Sequence, residues 1–93
     1  MTIAETIRAK LEAAFAPERL DVRDDSARHH GHAGWQEGGE THFHVTIVSP
    51  AFEGLNRVDR HRRVHELLDA ELKGRVHALT LTLLTPAEAA KRM

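Results

Sequence analysis

The apolar and polar positions along the chain change period several times, and each change marks an element. Ile3, Ile7, Leu11 and Ala14/Phe15 recur at helical spacing. Thr2 followed by Glu5 is the spacing of a capping box, so a helix is predicted from about Ile3 to Phe15. Pro17 closes it, because the residue before a proline is pushed out of the helical region. Leu20 and Val22 then alternate with Asp21 and Arg23, the pattern of a short, half-exposed strand. Residues 26–40, rich in glycine and histidine, read as a loop. "THFHVTIVS" returns to strict alternation. Phe43, Val45 and Ile47 share one face, and His42, His44, Thr46 and Val48 share the other, which predicts a strand buried on one side.

Ser49 and Pro50 end that strand, and Phe52 is an apolar anchor in the turn that follows. Asn56 is placed to cap a second helix, "RVDRHRRVHELLDAEL", residues 57–72, with an apolar stripe of Val58, Val64, Leu67, Leu68 and Leu72. Gly74 stops it. "RVHALTLTLL" alternates Leu79, Leu81 and Leu83 with Thr80 and Thr82, a third strand whose parity puts His77 on the leucine side. Thr85, Pro86 and Glu88 supply cap, first-turn proline and N3 glutamate for a last helix. The order α-β-β-α-β-α predicts a single α+β domain over residues 1–93. It is a three-stranded mixed sheet with its helices on one face. The other face is expected to meet water through His42, His44, Thr80 and Thr82.

Composition adds limits. Ninety-three residues, 41% hydrophobic and 29% charged, suit one modest core. A net charge of −1 removes any bulk electrostatic case for nucleic acid or membrane, so such a case must rest on a local patch. With no cysteine there is no disulfide, thiolate nucleophile or all-cysteine metal site. The amphipathic N-terminal stretch lacks the apolar run of a signal peptide. No apolar run in the sequence is long enough to span a bilayer, so a cytoplasmic protein with no membrane partner is expected.

The candidate chemistry is concentrated in "SARHHGHAGWQEGGETHFHV", which holds five of the eight histidines: His29, His30, His32, His42 and His44. Imidazole suits iron, copper and zinc, and a loop is where a ligand that must adapt to a partner belongs. His42 and His44 share a strand face, where solvent exposure is the commoner explanation. Trp35, the single tryptophan, reads as an apolar anchor for a partner or as a side chain that packs back on the domain, with the partner role preferred. A second candidate surface is "NRVDRHRRVH". Arg57, Arg60 and His61 cluster on one helical face, with Arg63 beside them. Cations at a helix start oppose the helix dipole, so this patch is expected to serve a partner, either phosphate or an acidic surface. No Ser/His/Asp spacing and no phosphate loop argue for catalysis, and an enzyme is not expected.

"SARH", "GGETHFHVTIVSPAFEG", "RHRRVHELLDAEL" and "VHALTLTLLTPAE", in that order over nearly the whole chain, resemble the BolA-like family. The combination of "ETHF", "VS..FEG", "RHR" and "VHAL" is what makes the resemblance specific. It implies a fold similar to class II KH domains. It also implies a non-enzymatic adaptor that pairs with a monothiol glutaredoxin and shares a bridging 2Fe–2S cluster, with glutathione supplied alongside the partner. The role would be iron–sulfur trafficking or iron sensing. Alone, the chain is expected to be a monomer or weak homodimer. The family's "VHAL" ligand falls on His77. Its loop ligand falls on His29 when counted from Ser26 through Arg28, and on His32 when aligned on His-Ala before the glycines. His30 lies between them. Some members of the family act as DNA-binding regulators of morphology and stress genes, which gives the basic helix an alternative use.

Overall fold

The computed structural model describes residues 2–26 and 39–91. Thr2 caps the first helix as its spacing predicts. Its hydroxyl accepts from the Glu5 N–H at 3.1 Å, and the Glu5 carboxylate accepts from the Thr2 N–H at 3.0 Å. This helix, α1 (Ile3–Phe15), buries Ile7, Leu11 and Phe15 along one stripe. Strand β1 (Arg19–Asp24) runs antiparallel to β2 (His42–Val48), with Val22 opposite Val45. Strand β3 (Ala78–Leu84) lies along the other side of β2 and parallel to it, with Ile47 beside Leu83. The sheet is therefore mixed, in the order β1-β2-β3.

A parallel pair needs a crossover connection. Here it is made by α2 (Arg57–Leu67) and a short α3 (Asp69–Lys73). Phe43, Val45 and Ile47 project from the central strand into one core. They meet Ile7, Leu11 and Phe15 of α1, Val64 of α2, and Phe52, Leu68, Val76 and Leu83. Phe52 comes from a 3-10 turn (Pro50–Phe52), and its ring sits 5.0 Å from that of Phe15, tilted by 39°. Asn56 caps α2 by accepting from the Asp59 N–H at 2.8 Å. The last helix, α4 (Pro86–Lys91), begins with the expected reciprocal pair. The Thr85 N–H donates to the Glu88 carboxylate at 2.8 Å, and the Glu88 N–H donates to the Thr85 hydroxyl at 3.2 Å.

Two expectations are corrected. The second helix is not continuous over residues 57–72. It is interrupted at Leu68, where the backbone moves to φ −99°, ψ 19°. The interruption is local, because the Leu68 N–H still reaches the Val64 carbonyl and the Leu72 N–H the Leu68 carbonyl, each at 3.0 Å. The outer face of β2 is also not wholly solvated. His44 and Thr46 are half-buried, while His42 and Val48, at its two ends, are buried. Among the described residues no helix is long and apolar enough to cross a membrane.

Candidate functional site

Where β1 ends and β2 begins, the chain builds a small polar hub. Asp24 and Ser26 stand two residues apart, the spacing at which an aspartate side chain bonds the backbone ahead of it. Asp24 Oδ1 accepts from the Ser26 N–H at 2.8 Å and from the Ser26 hydroxyl, while Oδ2 accepts from the Glu40 N–H at 3.0 Å. Ser26 is 2% exposed. Its oxygen in turn accepts from the N–H groups of Thr41 (2.8 Å) and His42 (3.2 Å). Burial pushes the Asp24 carboxyl up, but the bonds from Ser26 and Glu40 outweigh it and hold the group below its ordinary value. Arg75 adds a bond from Nε to the Gly39 carbonyl at 2.7 Å. Both flanks of residues 27–38 are thus fixed to one corner of the sheet. His29, His30, His32 and Trp35 lie outside the described residues.

Two imidazoles occupy that corner. His42 is only 7% exposed, and its Nδ1 lies 2.8 Å from the Thr41 hydroxyl. His77 donates its backbone N–H to the Thr41 carbonyl at 2.7 Å, which sets its Cα at the foot of β3. Parity groups it with Leu79, Leu81 and Leu83, but it stands one residue before β3, which starts at Ala78, and it is exposed. The two rings stack with centroids 6.4 Å apart and 28° between their planes. Expected at the surface, His42 is instead a covered support beneath an exposed neighbour. Among the described residues, no three histidine, cysteine, aspartate or glutamate side chains converge as a metal site.

The basic helix divides into two kinds of residue. Arg57, Arg62 and Arg63 are exposed. Arg60 is not part of that surface, contrary to the expectation from its spacing. Its side chain is 12% exposed and points inward. It donates to the carbonyls of Leu55 (2.9 Å) and Leu83 (3.1 Å) and to Glu88 Oε1 (2.6 Å), and it lies over the Phe52 ring, 5.9 Å from the centroid. Bonds from Arg60 and from the Thr85 N–H hold the Glu88 carboxyl at about 2. Arg60 therefore ties α2 to β3 and α4. His61 is half-buried, with Nδ1 2.9 Å from the Arg57 carbonyl.

The family model for BolA-like proteins matches residues 11–88, which span all three strands, the hub and both corner histidines. The chain belongs to the BolA-like family. Mouse BolA-like protein 1 is 50% identical over 86 residues, which cover 92% of this chain and 60% of that protein. The DNA-binding transcriptional regulator BolA of Haemophilus influenzae is 39% identical over 88 residues, covering 95% and 82%. The structure of BolA1 from Arabidopsis thaliana superposes with a TM-score of 0.85 at 44% identity, over 95% of this chain and 96% of that one. This chain thus has the BolA architecture, and it spans about three-fifths of the length of the mouse relative.

Proposed function

We propose that this BolA-like chain is a non-enzymatic adaptor that docks on a monothiol glutaredoxin and helps hold a bridging 2Fe–2S cluster. The observation that carries the proposal is the exposed His77 imidazole, stacked on buried His42 at the corner where both ends of the histidine-bearing loop are fastened. The donor set suits the cargo. Neutral imidazole nitrogens bind iron, and a site short of ligands on one chain is what a shared cluster requires. His29 follows Ser26 by three positions and His32 by six, contour lengths of at most about 10 and 20 Å. The partner, with its glutathione, supplies the remaining ligands. When bound, a cluster with imidazole replacing thiolate on one iron has a raised potential, which favours handing it on.

The test mixes this chain anaerobically with a cluster-loaded monothiol glutaredoxin and follows visible absorption and circular dichroism. A changed cluster spectrum that persists through gel filtration as a heterocomplex is expected. His77→Ala should remove it, and single changes at His29, His30 and His32 should identify the loop ligand. An unchanged spectrum with no co-elution sinks the proposal.

A second reading, a DNA-binding regulator, is favoured by the name of the Haemophilus relative and by exposed Arg57 and Arg63. It predicts that Arg57→Ala with Arg63→Ala weakens binding to duplex DNA and lowers the slope of affinity against salt, by about 0.9 for each phosphate no longer neutralised. Under that reading His77→Ala leaves DNA affinity unchanged.

A further inference from the structure

Helix α2 carries a pair of histidines that neither the corner site nor the core uses. His61 and His65 stand four residues apart, so they rise from neighbouring turns of one helical face. Together with Arg57, Val58 and Arg62 they line one shallow concavity on the outer surface of the helix. Val58, at 60% exposure, is the sole large apolar residue left that open among the described residues.

The bond at His61 fixes more than its position. A backbone carbonyl can only accept, so the 2.9 Å contact with the Arg57 oxygen requires the proton to sit on His61 Nδ1. In the neutral ring the lone pair is then on Nε2, the nitrogen away from the backbone. A histidine whose Nδ1–H is bonded to a main-chain oxygen is the usual arrangement of a metal-ligating imidazole, because that bond sets both tautomer and ring orientation before the metal arrives. His65, exposed one turn on, supplies the second nitrogen.

We propose that His61 and His65 form a two-imidazole chelate for a late first-row divalent ion, with Cu2+ favoured. The charges around the pair sharpen this choice. Arg57 and Arg62 line the same concavity, and the Asp59 carboxylate is 3.9 Å from the Arg62 guanidinium. Two guanidinium groups repel a cation held by charge alone, so Mg2+ and Ca2+, which want oxygen ligands, are excluded. An ion bound through nitrogen coordination overcomes that repulsion, most strongly at the copper end of the affinity series. Two protein ligands leave the remaining coordination positions to water. The site shares no residue with the His42 and His77 corner, and it stands whether or not a cluster binds there.

The probe is Cu2+ alone, added below stoichiometric amounts to 15N-labelled chain in which His29, His30 and His32 are all changed to Gln. Those changes remove the competing loop imidazoles. Paramagnetic broadening of amide signals is read residue by residue. Expected is selective loss of the signals around His61 and His65, absent with equimolar Mn2+, which is also paramagnetic but lies at the weak end of the affinity series, and abolished by His65→Gln. His65→Gln combined with Glu66→His keeps the histidine count but breaks the spacing, and it should not restore the effect. Because His65 and Glu66 are exposed, these variants keep the fold, and their amide dispersion reports it directly. Unbroadened α2 signals overturn the site. So does broadening there that survives His65→Gln, or that returns in the spacing-shifted variant.

Discussion

Arg60 and Arg63 lie three residues apart on the same helix and are expected to behave in opposite ways. Arg60 bonds two main-chain carbonyls and a carboxylate while nearly covered, whereas Arg63 is exposed. Hydrogen bonds that involve a charged group contribute about 1.5–3 kcal/mol when little solvent reaches them. Arg60→Ala should therefore lower stability by about 2 kcal/mol or more, while Arg63→Ala should stay within roughly 0.5 kcal/mol. Urea midpoints of the two variants decide it, and equal midpoints would refute the internal role of Arg60. The partner of Arg60 gives a pH prediction. The folded-state value of Glu88, about 2, lies below its ordinary 4.5. A depressed carboxylate contributes stability above the ordinary value and loses it as pH falls through the folded one, so this contribution fades between about 4.5 and 2. Glu88→Gln should flatten that acid limb in urea midpoints measured at about pH 6 and about pH 2.5. The limb should not vanish, because Asp24 is shifted in the same direction.

At the scale of elements, what could be read from the sequence was set by how local its causes are. The starts of α1 and α4 are fixed by capping pairs three residues apart, so spacing alone locates them. The interruption at Leu68 has no such mark. Val64, Leu68 and Leu72 follow one another at four-residue intervals, as an unbroken helix would have them. The hub between β1 and β2 was equally hidden, since it joins Asp24 to Glu40 and Ser26 to Thr41 across fifteen or sixteen residues. Its only trace in the sequence is the two-residue spacing of Asp24 and Ser26. The hub also carries a prediction. Ser26→Ala leaves the buried Thr41 N–H without its acceptor, at a cost of about 1–3 kcal/mol. Amide exchange at Thr41 and His42 should accelerate more than at Ile47, in the middle of the same strand. Uniform acceleration would show that Ser26 contributes to global stability alone and does not clamp the loop base.

The whole molecule separates the parts that hold the fold from the part that faces a partner. The core lies on one side of the sheet, under α1 and α2, and its composition followed from alternation and helical period. His77 could be placed by its motif. Its surroundings could not, because the stack on His42 joins the foot of β2 to the residue before β3, a relation that exists only once those strands pair in parallel. The same pairing leaves His77 outside the core and puts Ile47 at its centre with no exposed surface. Ile47→Val removes one buried methylene, which costs about 0.5–1.5 kcal/mol. For a domain of this size each kcal/mol lowers Tm by roughly 4–8 °C. His77→Ala removes an exposed ring and should change stability by no more than about 0.5 kcal/mol. Thermal unfolding of the two variants should therefore rank Ile47→Val as the less stable. Heterocomplex formation should rank them the other way, lost in His77→Ala and kept in Ile47→Val. A His77→Ala chain that melts well below the Ile47→Val chain would mean that the imidazole supports the fold, and its loss of cluster binding would then report unfolding instead of a missing ligand.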